Sequence, residues 1–167
     1  MAPPAVDPWS LFASACMQGG STLPAESFRP SSAGELPDAV RHALGSNLID
    51  RSVLASVGVN FVVNASSNLP NKVYAFRDRP GYVFLPTGGD KQSNAFAGMC
   101  AVVVQGDHYL TALQTLNPRQ AQRLAKKLAK KGSKPMAFSD FRARSGGYDV
   151  SLVEVDGWTS AAVNAAR

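Results

Sequence analysis

Residues 99–106 read MCAVVVQG, a short apolar run holding three consecutive valines and closed by Gly106. β-Branched side chains lose rotamer freedom in a helix but pack well on a pleated surface, so a run of this composition and length reads as a buried strand. Alternation along a strand places Cys100, Val102 and Val104 on one face.

Toward the C-terminus, Asp107 can cap a helix whose apolar stripe is Tyr109, Ala112, Leu113 and Leu116. The next stretch, Asn117 to Gly132, reads NPRQAQRLAKKLAKKG. Asn117 can cap the first turn, Pro118 suits the first helical position, and Gly132 can take the left-handed conformation that ends the helix. Ala121, Leu124, Ala125 and Leu128 recur at helical spacing as one apolar stripe, with Arg119, Arg123, Lys126, Lys127 and Lys130 on the opposite side. FRARSGGYDVSLVEV (141–155) then forms two strands around Ser145-Gly146-Gly147, with Tyr148, Val150 and Leu152 alternating inward.

Toward the N-terminus, KVYAFR (72–77) and YVFLP (82–86) flank the turn signal Asp78-Arg79-Pro80-Gly81 and read as a hairpin. The loop from Pro86 to Gly98 joins it to the Cys100 strand; thirteen residues are long for a compact domain, which marks the loop as functional or mobile. Residues 50–64, DRSVLASVGVNFVVN, are ambiguous between helix and strand, with Val59–Val63 favouring strand. Residues 19–45 are rich in Pro, Gly and Ser and form a wrapping segment with one short helix over Pro37–Leu44. In PWSLFASACMQ (8–18), Trp9, Phe12, Ala13 and Cys16 repeat the amphipathic pattern, which points the Cys16 thiol at the core.

This order predicts a single α+β domain over residues 1–167: a mainly antiparallel sheet of about five strands with helices packed on one face. Residues 1–8 are expected as a flexible N-terminal segment and 157–167 as a partly flexible tail. The helix pair between Cys100 and the last hairpin could instead act as a crossover and make the sheet mixed.

The composition, 45% hydrophobic and 17% charged, is that of a globular chain. Its net charge of +5 is local: residues 118–134 hold seven of the 17 basic residues and no acidic one, which leaves ten basic against twelve acidic elsewhere. No apolar run is long enough for a transmembrane helix. MAPPAVDPWSLF (1–12) lacks the charged start and continuous apolar stretch of a signal peptide, so the chain is either cytoplasmic or begins at a mature N-terminus.

Cys16 on a helix and Cys100 on a core strand both face inward, and they can join as a disulfide if their Cα atoms come within about 7 Å. The alternative is two free buried thiols. A bond would imply an oxidising compartment. The ACMQGG segment after a Trp-bearing helix, the GMCAVVV strand and the closing hairpin resemble small uncharacterised exported proteins of bacteria. The likeness is one of pattern over most of the chain; it implies a periplasmic or secreted location and brings no activity and no catalytic residue.

Other motifs carry less chemistry. The basic helix can bind phosphates through counterion release, but no aromatic interleaves it to stack bases, so a solvated surface is the leading reading and nucleic acid the less favoured partner. Asp107-His108 could serve a Ser or Thr nucleophile in a hydrolase; a surface His at a helix start is the favoured reading. His42 and His108 have no second ligand at metal-site spacing, and no metal or cofactor is expected. Gly88-Gly89-Asp90 lacks the ending of a phosphate loop. Asn64-Ala65-Ser66 matches a glycosylation acceptor by pattern alone. Arg142 and Arg144 share a strand face, where they extend a cationic surface or protect an edge. The leading expectation is a non-enzymatic exported bacterial domain that binds a protein or small-molecule partner, with oligomeric state open. The alternatives are an anion- or nucleic-acid-binding protein using helix 118–131 and a hydrolase using His108.

Overall fold

The computed structural model describes residues 6–17, 23–48, 71–86, 98–131, 139–145 and 148–165. The ambiguous segment 50–64, the Asn64-Ala65-Ser66 triplet, Gly88-Gly89-Asp90 and most of their loop, Gly132, Lys134 and the Gly146-Gly147 turn lie outside those residues, as do residues 1–5 of the expected flexible start. Helix α1 spans Pro8–Phe12 and continues into one wide π-turn at Ala13–Met17. Strand β1 is Phe28–Ser31, a 3-10 turn follows at Ala33–Glu35, and α2 is Asp38–Leu48. The hairpin strands are β2 (Lys72–Phe76) and β3 (Gly81–Leu85), and the quoted run forms β4 (Cys100–Gln105). Helices α3 (Tyr109–Leu116) and α4 (Pro118–Lys131) precede β5 (Ser139–Ser145), β6 (Tyr148–Val155) and β7 (Trp158–Ala165).

Among the described residues, seven strands join one antiparallel sheet in the order β1-β2-β3-β4-β7-β6-β5. The α+β class and antiparallel sheet expected from the sequence are present, with more strands than the expected five. Helices α3 and α4 do not form a parallel crossover: they carry the chain from β4 past β7 and β6 to the far edge, where β5 runs antiparallel to β6.

Two corrections concern where elements lie. Residues 158–165, expected in a flexible tail, form β7 and pair with β4 on one side and β6 on the other. Its small Ala161 and Ala162 carry little strand propensity, yet they are fully or almost fully buried on opposite faces. The helices, expected on one face, occupy both. Trp9 and Phe12 of α1, Leu113 of α3 and Ala121 of α4 pack with Val83, Val102, Val104, Leu152 and Ala161. Val40, Ala43 and Leu44 of α2 pack on the other face with Phe84, Ala101, Val103, Val153 and Ala162. A strand as apolar as β4, buried at five of its six positions, must be covered on both sides.

The turn between β6 and β7 is the two-residue Asp156-Gly157, with φ of 55° and 80°. Both residues need positive φ in this tight hairpin, a conformation that Asp tolerates and Gly adopts freely. Strand β1 contains Pro30, which is admissible because β1 is an edge of the sheet.

Candidate functional site

Cys16 and Cys100 are bonded, with S–S 2.03 Å and Cα atoms 5.4 Å apart. The sequence brings them together in two steps. Alternation puts Cys100 on the face of Val102 and Val104, and the π-turn after α1 carries Cys16 onto the same core. Cys100 is buried, while Cys16 is half-buried. The bond ties a five-residue helix, too short to persist alone, to a central strand.

Among the described residues, the hydrogen bond of the His108 ring is to a backbone carbonyl and not to a carboxylate or hydroxyl. His108 Nε2 donates to the Gln105 carbonyl at 3.0 Å, and its ring lies 6.3 Å from that of Trp9. The N-cap position of α3 is His108, which makes no side-chain cap bond; Asp107, expected as the cap, lies one residue earlier and its carboxylate accepts from the Tyr109 amide at 3.2 Å. The Thr159 hydroxyl accepts from the His108 amide at 2.9 Å and donates to the Gly106 carbonyl at 2.8 Å. His108 thus serves the β4–α3 turn, where Gly106 has a φ of 107°.

The other histidine has a carboxylate partner that sequence separation hides. His42 on α2 donates from Nδ1 to Asp156 Oδ2 at 2.7 Å across 114 positions, and its Nε2 is buried without a hydrogen-bond partner. The pair fastens α2 to the β6–β7 turn.

A second polar cluster lies under α2, hydrogen-bonded to β6 and β7. Asn47 Nδ2 donates to Ser151 Oγ at 3.0 Å and to the Ser160 carbonyl at 3.1 Å, Ser160 Oγ donates to Asn47 Oδ1, and Ser151 Oγ donates to the Asn47 carbonyl at 3.2 Å. All three residues are buried. The available signal was a pair of serines at inward positions of apolar strands, which must find partners inside the fold.

Near the β6–β7 turn, burial raises the Glu154 carboxyl above its ordinary range, and repulsion from Asp107 and Asp156 adds to this, while hydrogen bonding to the Gly157 backbone opposes it. Among the described residues, no group of three or more His, Cys, Asp or Glu side chains is arranged to hold a metal ion.

Helix α4 begins as its sequence specifies: Asn117 Oδ1 accepts from the Gln120 amide at 3.1 Å, and Pro118 is the first residue. Ala121 is fully buried and Leu124 is half-buried against the α1 side of the core. Arg119, Arg123, Lys126 and Lys127 are exposed. The side chains of Lys130 and Leu128 lie outside the described ones. Elsewhere, Arg29 pairs with Glu35, Arg41 with Asp38 and Arg79 with Asp78, and Arg77 Nε donates to the Ala25 and Phe28 carbonyls. Among the described residues, no carboxylate lies within ion-pair distance of Arg119, Arg123, Lys126 or Lys127.

No family model matches the chain, no curated protein matches it in sequence, and no solved structure matches its fold.

Proposed function

We propose that this chain is an exported bacterial binding domain, held rigid by a disulfide, that engages a partner rather than catalysing a reaction. The observation that carries this reading is the Cys16–Cys100 bond, which joins α1 to β4 beside the sheet's centre. Such bonds persist in oxidising compartments. No helix of the described residues is long and apolar enough to cross a membrane. His108 and Asp107, the pair that suggested a hydrolase, instead bond within the β4–α3 turn.

Fractionation of source cells expressing the full-length gene product tests this reading. The proposal expects the protein in the periplasmic or secreted fraction. Recovery in the cytoplasm with both thiols reduced would refute it.

A further inference from the structure

We infer that the exposed face of α4 is a sequence-independent docking surface for the phosphate backbone of a nucleic-acid duplex. The inference rests on the reading of the chain as a binding domain, but not on its compartment. Helical geometry puts Arg119, Arg123, Lys126 and Lys127 within an arc of roughly 100° and along about 12 Å of axis, a narrow row of positive charge. All four are exposed, and none has a carboxylate within ion-pair distance among the described residues. By contrast, Arg29, Arg41 and Arg79 each have a carboxylate partner. The charge on α4 is therefore not used in holding the described fold together.

Two features select the occupant. A helix that enters a bilayer surface needs its apolar side, whereas Ala121 and Leu124 are packed into the protein core. The row is bordered by the exposed amides of Gln120 and Gln122 rather than by aromatic anchors. Amides can donate to phosphate and sugar oxygens, while interfacial binding favours Trp and Tyr. With no aromatic in the row to stack a base, contact is with backbone and carries no base preference.

The experiment measures binding of the full, disulfide-intact chain to a short mixed-sequence DNA duplex by fluorescence anisotropy over a salt series, with vesicles of anionic and zwitterionic lipid as a parallel probe. Four phosphate contacts predict that log K falls by about 3.6 per tenfold rise in salt, at about 0.9 per contact. The variant Arg119→Gln, Arg123→Gln, Lys126→Gln, Lys127→Gln should keep its thermal midpoint and lose this dependence, whereas Lys126→Arg with Lys127→Arg should retain it. If the fourfold variant loses its midpoint, the single Gln variants replace it, each expected to reduce the slope by about 0.9. A duplex of unrelated sequence should bind equally. Absence of salt-dependent duplex binding, an unreduced salt slope in the folded Gln variants, preference for one base sequence, or tighter binding to anionic vesicles than to duplex would each overturn the inference. Any of these results leaves the export reading intact, because that reading depends on location and thiol state.

Discussion

Replacing Asn47 with Ala should destabilise the domain more than the loss of any surface ion pair. Asn47 is 3% exposed and bridges the end of α2 to β6 and β7 through both ends of its amide. The substitution removes the acceptor of the Ser160 hydroxyl and the amide donor to Ser151 Oγ, and both serines are themselves buried. A buried polar group left without its partner costs about 1–3 kcal/mol, so two disrupted contacts give about 2–5 kcal/mol after partial rearrangement. That is a large part of the 5–15 kcal/mol typical of whole domains. At about 2–4 °C per kcal/mol for a chain of this size, the thermal midpoint should fall by roughly 4–20 °C. Urea unfolding of both proteins, with equal slopes to confirm that the same surface is exposed, measures the loss. Ser160→Ala removes one hydroxyl and should cost less, about 1–2 kcal/mol. A loss below about 1 kcal/mol in Asn47→Ala would show that the cluster does not fasten α2, and the reasoning would fail.

Four further outcomes are expected. Removing the disulfide as Cys16→Ala with Cys100→Ala should cost up to about 4–5 kcal/mol by the chain-entropy model for a separation of 84, read by denaturant unfolding; an unchanged midpoint would contradict it. Leu124→Ala, at a half-buried site, should cost about 1–2 kcal/mol, less than the 2–5 of a fully buried leucine, while Ala121→Leu should cost about 1–3 by overpacking; an unchanged thermal midpoint in both variants would misplace the apolar side of α4. Gly106→Ala should destabilise, because an added Cβ at φ 107° would sit 2.9 Å from His108 Nε2; wild-type stability would remove the positional argument. For Glu154 the raised carboxyl means that, as pH climbs from the ordinary value of 4.5 through the folded value, the unfolded chain releases its proton first and stability falls. Glu154→Gln should therefore stabilise at neutral pH by less than about 1 kcal/mol and give no such gain well below pH 4.5; equal effects at both would sink the assignment.

The sequence was most legible where one element has one strong local signal. The valines of β4, the Asp78–Gly81 turn and the Asn117-Pro118 start of α4 each appear where their chemistry places them. The two inward faces left a Cys16–Cys100 bond and two buried thiols both open; the residues are bonded, with Cys16 in a π-turn rather than on a regular helix. β7 was missed because TSAAVNA is dominated by small residues, whose role is to let α2 and α1 approach the sheet from opposite sides. The Asp156-Gly157 dipeptide between two strand-compatible runs was the signal that could have revealed it. The second helical layer was hidden for a related reason: periodicity says that α2 has an apolar side, but not which face of the sheet receives it. The His42–Asp156 and Asn47–Ser160 bonds span 114 and 113 positions, and nothing local announces either.

The central claim is that this is a disulfide-locked domain of an oxidising compartment, and the most direct measurement is the thiol state of the protein recovered from its source cells. Acid quenching, alkylation without reduction and peptide mapping should yield a single linked species containing Cys16 and Cys100, with neither residue alkylated. Full alkylation of both residues in folded protein would contradict the bond, and with it the compartment that the bond implies.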